Sequence, residues 1–478
     1  MTQPALRPSL LFLSAIALAS ALPAVAGTQY SVVAHATDSG ANSARGSMAF
    51  SGGLLYGASP FGGTNSAGTV FRFDPATNQY HLIHSFAGGA EGGSPATGVI
   101  KTINGLYGTS SVGANGRGTL YRINLLNNAY SILHQFDGAT GGQPGGPLME
   151  GSDGRIYGVV QAEGANNFGG IFRIDADGSN YDLIVSFTGT GGNRRGKGVG
   201  SKGLVEGTDG LLYGTTTEGG SSDTGVFFKM SKDGSTYFIF REWPTTGLRK
   251  PNNRLMLSDD GFFYGAASEG GAANKGGIFR ISSDGAYTEI HEFTDSPDGY
   301  NVLGELTEGR DGYLYGCAFY SSDNKGSIFR LAKDGSSFAI LHRFAGGTTD
   351  GSGPLTPLIE TEDGVLYGMT PFNGLNNAGV VFRLATTVEK PSVALSGPKR
   401  IKFKGSKLRL RGTAADDLQV VRVEYATKTL FKSAEGTTAW SARIPVKRSA
   451  KLVRVSLRSL DNDGQLSDLT SVRARRVD

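Results

Sequence analysis

Cysteine is almost missing from this chain. Its 478 residues contain one, Cys317, so no intramolecular disulfide can form and stability has to come from packing. Charged residues make up 18% of the sequence, below the roughly 25% of an average protein. Beyond the N-terminus no run approaches the roughly 18 apolar residues that a spanning helix requires. Histidine is scarce at six residues, with no zinc-type Cys/His spacing, and no Gly-x-Ser-x-Gly elbow occurs. The stretch Gly191 to Lys197 approaches a phosphate loop, but Gly198 stands where Ser or Thr is required and no helical period follows, which excludes that function. His81 and His84, three apart on a strand, point to opposite faces and cannot share a metal. No catalytic residue, metal site or cofactor is expected.

What the chain does have is glycine, 73 residues of it, together with 26 Phe, 18 Tyr and 2 Trp. So many aromatics supply apolar surface for real cores, which excludes collagen-like and disordered classes. The first 26 residues read as a secretory signal: Arg7, an apolar stretch from Leu10 to Ala21, and the small-residue cleavage site Ala24-Val25-Ala26. The expected mature protein begins at Gly27 and is secreted, periplasmic or extracellular, with association to the cell surface left open.

Charge divides the rest. Residues 27–390 carry 26 Lys plus Arg against 34 Asp plus Glu, whereas residues 391–478 carry 19 against 8. With Lys390-Pro391, this reversal sets a domain boundary between residues 27–388 and 391–478.

An [ILF]-Tyr-Gly triplet recurs at Tyr56, Tyr107, Tyr157, Tyr213, Tyr264, Tyr315 and Tyr367, and an aromatic-basic pair such as Phe172-Arg173 follows each after 14 or 15 residues. Four strand-like runs fit in each repeat. In the third they are Pro147 to Gly151, Arg155 to Val160, Gly170 to Asp175 and Tyr181 to Phe187. Asp-Gly pairs such as Asp153-Gly154 and Asp177-Gly178 join them, as tight antiparallel hairpins require. Four strands in about 50 residues is the signature of a propeller blade. The fold class is therefore all-β, a seven-bladed β-propeller of tandem repeats. The seventh repeat lacks its last run, and Tyr30 to Ala36 matches that run in length and pattern, so a ring closed by this N-terminal strand is expected, with no free sheet edge. Five of the six histidines, His35, His84, His134, His291 and His342, hold one place in the last run, which suits a bridge between neighbouring blades rather than a catalytic site. Cys317 follows Tyr315-Gly316 in a strand, where a buried small hydrophobe is expected.

These triplets, with the Gly-Gly loops and Leu-His-x-Phe units, resemble the GloVer tandem-repeat family of exported bacterial proteins, often described by the anchor at their C-terminus. The resemblance spans about residues 30 to 385. It implies export and a cell-surface setting without specifying an activity, and the charged terminus Arg473 to Asp478 does not look like the usual anchor.

Residues 391–478 contain period-2 runs at Ser392 to Ser396, Leu408 to Arg411, Val420 to Tyr425, Thr437 to Ile444, Leu452 to Leu457 and Val472 to Val477. This fits an Ig-like β-sandwich with Trp440 in its core. Ala415-Asp416-Asp417 and Asp461-Asn462-Asp463-Gly464 look like bacterial Ig-like modules. Asp461 and Asp463 are the nearest approach to a calcium site, yet the loop lacks the full ligand series. The basic excess is compatible with an anionic partner, but its alternation with apolar residues is first of all what the solvated face of half-buried strands gives.

In an up-and-down blade the longer loops gather on one rim, and loops on a rigid scaffold carry function. The candidate ligand-binding residues on that rim are Phe61, Phe168, Arg194, Arg195, Lys197, Tyr300, Tyr320 and Phe372. Aromatics beside Asn, Ser and Gly suit stacking on sugar rings. The expected function is that of an exported, noncatalytic binding or cell-surface structural protein, a monomer, with carbohydrate such as an envelope polysaccharide as one ligand that the rim would suit. The alternative is a polysaccharide lyase or hydrolase in the propeller channel, whose mark is a convergence of carboxylates, a Tyr or an Arg from nonequivalent repeat positions.

Overall fold

A computed structural model describes residues 28–36, 41–95, 97–162, 165–199, 203–294, 298–386, 392–395, 400–403, 407–415, 420–426, 432–433, 439–445, 452–461 and 470–476. The signal segment and Asp463 lie outside these residues. Each repeat folds into its own antiparallel sheet, and the seven sheets make a seven-bladed β-propeller. Among the described residues there is no α-helix.

The local chemistry of one repeat explains a blade. In the third, the Gly154 N–H donates to the Gly151 carbonyl at 2.8 Å, and Gly154 sits at φ 77°, a conformation open to glycine without steric cost. The Tyr157 hydroxyl then donates to Asp153 of the same turn at 2.8 Å, and Tyr213, Tyr264 and Tyr315 repeat the bond to Asp209, Asp260 and Asp311. The triplet's tyrosine thus locks the hairpin that precedes it. Its glycine makes room instead. A Cβ on Gly158 would lie 2.4 Å from the Phe172 ring, so only glycine lets that aromatic cross the sheet surface.

The core lies between blades. Ile184, Val185 and Phe187 of the third pack with Leu212, Val226 and Phe228 of the fourth. The repeated histidines bridge neighbours as expected, stacking on the aromatic that opens the next blade's last strand: His84 on Tyr130 at 4.2 Å, His134 on Tyr181 at 3.6 Å and His291 on Phe338 at 4.0 Å. In the fourth blade Arg241 takes that place, 3.8 Å from the Tyr287 ring centroid. The strand Thr28–His35 pairs antiparallel with Val380–Thr386 of the seventh repeat, and Tyr30 stacks on His342 of the sixth at 3.4 Å.

The innermost strands differ from expectation. That of the third blade begins earlier, Gly142–Glu150, with an irregularity between Gly145 and Met149. In the fifth and sixth it divides, as Arg249–Pro251 with Met256–Leu257 and Tyr300–Val302 with Thr307–Glu308. The incoming loop therefore pairs with the outer half of the second strand before the chain bends into the channel wall. Tyr300, expected in a loop, is held in a strand.

The C-terminal region forms a three-stranded sheet of Ser392–Leu395, Lys407–Ala415 and Ala439–Pro445, and a five-stranded sheet in which Arg400–Phe403 runs parallel to Thr470–Arg476. Leu408 and Leu410 are buried while Arg411 is exposed, as the alternation of basic and apolar residues requires.

Candidate functional site at the rim and central opening

The rim residues read from the sequence do not form one patch. Arg194 donates to the Gly234 carbonyl at 3.0 Å, and Arg195 pairs with Glu242 at 2.7 Å. Lys197 lies 3.0 Å from Asp223 and 3.3 Å from Glu218, and the bond to Asp223 is the main cause that holds its ammonium above the ordinary lysine range. These three cations are thus engaged with the fourth blade. Phe168 lies over Gly189, with 38% of its surface exposed.

The aromatics of the other side do gather. Tyr300 and Tyr320 face each other in register and stack at 5.1 Å, with the Lys275 ammonium 3.8 Å from the Tyr300 centroid. Phe319 meets Tyr320 edge-on at 4.7 Å, and a Cβ on Gly353 would lie 3.1 Å from Phe319 and 3.0 Å from Phe372. The Arg45 guanidinium lies 5.5 Å from the Phe372 centroid. Phe61, 47% exposed, is held by the pairing of Phe61–Gly62 with Ala41–Asn42.

Register relates these rings. Five residues after the triplet tyrosine stand Phe61, Val112, Ala162, Glu218, Glu269, Tyr320 and Phe372. Aromatics occupy this position on three consecutive blades, the sixth, seventh and first, and carboxylates on the fourth and fifth.

The sector adjoins the central opening. A cavity of about 690 Å³ is lined by Arg45, Arg254, Glu218 and Glu305, among others. It shares Ser47, Pro147, Arg254, Glu305 and Pro357 with a second one of about 480 Å³ walled by the innermost strands. Arg254 and Glu305 take the place before the buried leucine of the inner strand, where the other blades have Ser47, Gly98, Pro147, Gly203 and Pro357. Arg254 donates through Nε to the Leu204 carbonyl at 2.9 Å, and its Nη1 lies 3.5 Å from Glu305. Burial raises the Glu305 carboxyl above its ordinary range, opposed only in part by the Arg254 charge. The sequence reading missed Arg45, Arg254, Glu305 and Phe319. The signal was there: each departs from what the same position holds in the other repeats.

Cys317 is buried, and desolvation pushes its thiol up to about 12, which removes it from nucleophilic chemistry. No group of three or more His, Cys, Asp or Glu suited to a metal occurs among the described residues. Nor does a helix there have the length and apolarity to cross a membrane.

A blade built this way, seven times over, defines a class of tandem-repeat propellers. The Gloeobacter/Verrucomicrobia repeat matches residues 23–208 and 200–396, and the chain belongs to this family. No curated protein sequence matches the chain. Among solved structures it is similar to the extracellular domain of a "putative one component system" from B. thetaiotaomicron, with 12% identity and a TM-score of 0.47, covering 94% of this chain and 58% of that one. It is also similar to the GH74 xyloglucanase from Xanthomonas campestris, with 13% identity and a TM-score of 0.46, covering 92% and 69%. A third is a fungal alcohol oxidase of the AA5 family in complex with copper, at 10% identity and a TM-score of 0.44, covering 92% and 98%.

Proposed function

We propose that this is an exported, noncatalytic protein of the cell surface that binds carbohydrate on the aromatic sector of its propeller rim. In this reading the N-terminal strand closes the ring, and the basic C-terminal region is an Ig-like sandwich that attaches to an anionic surface. The observation that carries it is the run of Tyr320, Phe372 and Phe61 at one register position on three consecutive blades. A core needs no aromatic there, since four blades do without one, and planar rings backed by Gly353 suit stacking against the apolar faces of sugars. Arg194, Arg195 and Lys197 act here as ties between blades.

The full chain, run through gels containing immobilised neutral or acidic polysaccharides, should be retarded by at least one. Tyr320→Ala and Phe372→Ala should each weaken retention about tenfold, as the loss of an aromatic contact of about 1.5 kcal/mol implies. Uniform absence of retention would overturn the reading.

A second reading, a polysaccharide-cleaving enzyme, is favoured by one observation. Glu218, Arg45 and the equivalent pair Arg254 and Glu305 reach one cavity from three different repeat positions, and Glu305 has the raised carboxyl of a general acid. New reducing ends or unsaturated products released by the wild type but not by Glu305→Gln would establish it.

A further inference from the structure

We propose that the cavity at the centre of the rim receives a sugar carboxylate, held by the Arg45 guanidinium, so that the polysaccharide lying on the aromatic sector is an anionic one. This rests on the carbohydrate reading and narrows it to polymers containing uronic acids.

A balance of the charges lining the cavity singles out Arg45. Glu218 is answered by Lys197 at 3.3 Å, and Glu305 by Arg254 at 3.5 Å. Arg45 has no carboxylate within ion-pair distance among the described residues. Its contacts are the Ser43 hydroxyl, 3.3 Å from Nε, and the Phe372 ring. The guanidinium is nevertheless half-buried, and desolvation lowers its pKa with nothing opposing it. A cation taken out of water without an anion carries an uncompensated cost. A carboxylate would offset that cost through the paired N–H groups that a guanidinium presents in a plane.

The neighbours fix which carboxylate fits. Phe372 belongs to the aromatic sector and packs against Arg45, so a sugar ring lying on Phe372 would carry a ring carboxylate to the guanidinium. Glu218 and Glu305 are each paired within the protein, so Arg45 is the charge along this lining left for an anion. The propeller is net acidic while residues 391–478 carry 19 basic residues against 8 acidic, so the polymer that suits Arg45 also suits the C-terminal region.

Calorimetric titration of the full chain tests this. The probes are hexamers of galacturonate, mannuronate and hyaluronan, the fully methyl-esterified galacturonate hexamer, and monomeric galacturonate. At least one acidic hexamer should bind. Esterification and Arg45→Ala should each weaken that binding at least tenfold. Arg45→Lys should recover part of it, and the urea midpoint of each variant should match the wild type. Equal binding of acid and ester, or of wild type and Arg45→Ala, overturns the carboxylate receptor and leaves the sugar reading standing. Binding that esterification weakens and Arg45→Ala does not overturns it too, and places the acid binding on another surface such as the basic C-terminal region. Monomer binding as tight as hexamer binding overturns the polymer in favour of a small sugar acid. Failure of every acidic probe, while neutral polysaccharides retain the chain in gels, overturns the receptor alone; failure of both removes the rim reading as well.

Discussion

Replacing Tyr30 by alanine tests whether the first strand carries the ring. Tyr30 stacks on His342 at 3.4 Å, meets Phe344 edge-on at 5.9 Å and Phe382 at 5.6 Å, and donates from its hydroxyl to Asp350 at 2.5 Å. Truncating a large aromatic in such a setting costs about 3 kcal/mol. With a denaturant slope of about 3 kcal/mol/M, the urea midpoint should fall by about 1 M. Tyr130→Ala is the internal reference, because Tyr130 makes the same contacts inside the array: a stack on His84 at 4.2 Å and a hydroxyl bond to the Glu91 carbonyl at 2.6 Å. Tyr30→Phe isolates the hydroxyl and should cost about 1.5 kcal/mol at neutral pH. Burial alone would raise the Asp350 carboxyl, but bonds from His342, the Ala345 N–H, Tyr30 and the Gly351 N–H outweigh it and hold the group below its ordinary range. A depressed carboxyl contributes stability that is complete above its unfolded pKa of about 3.9 and is lost as pH falls through the lower folded value. The gap between Tyr30→Phe and wild type should therefore narrow in acid. A Tyr30→Ala midpoint equal to wild type, with Tyr130→Ala fully destabilised, would refute the reasoning: the strand would then be an ornament on a ring that holds without it.

The bridging histidines give a second acid transition. Burial lowers the pKa of His84 against the pull of Glu91, and of His134 against that of Asp137, so both favour the neutral ring in the folded state. Their contribution is complete above the unfolded value of about 6.5 and falls as pH drops below it towards the folded values. Urea midpoints should decline from pH 7 to 5, and His134→Phe, which keeps the stack on Tyr181, should flatten part of that slope; an identical slope would count against it. Gly158→Ala should cost about 2 kcal/mol because its Cβ would meet the Phe172 ring at 2.4 Å. Gly154→Ala, whose Cβ meets nothing within 4 Å, should cost only the strain of φ 77°, about 1 kcal/mol. Chemical denaturation that ranks the two the other way would remove the packing argument. Cys317 should resist a thiol reagent in the native protein and react fully in urea; rapid native labelling would mean that the sixth blade opens.

Much of the fold can be read in the sequence because each blade states its own rules. Asp153 and Gly154 make a turn, Tyr157 bonds that turn, and Gly158 clears space for Phe172, all within 20 residues of chain. The pairing of Thr28–His35 with Val380–Thr386 is legible for the same reason, since Tyr30 repeats the pattern of Tyr80 and Tyr130. The innermost strands were harder. Their bend is imposed by the channel, which no local pattern encodes, and Tyr300 consequently reads as loop. The rim cations were hardest: the partners of Arg195 and Lys197 lie 47 and 26 residues away, so nothing local indicates that these charges are already answered.

Repetition itself separates scaffold from site. A position filled alike in every blade, as by Gly158 and its equivalents, has the same neighbours seven times and is explained by them. A position whose occupant changes around the ring cannot be needed for a contact that all blades share. Arg254 and Glu305 stand where five other blades place Ser, Gly or Pro, and Tyr320, Phe372 and Phe61 stand where others place Val, Ala or Glu. Arg254 and Glu305 line one opening, and Arg45, on the same lining, packs against Phe372. Seven equal blades would give a symmetric opening with no preferred orientation for a ligand. The break gathers Tyr300, Tyr320, Phe319 and Phe372 in one sector and leaves Arg45, at its inner edge, without an ion-pair partner among the described residues, and a polymer bound there would have a defined direction across the rim.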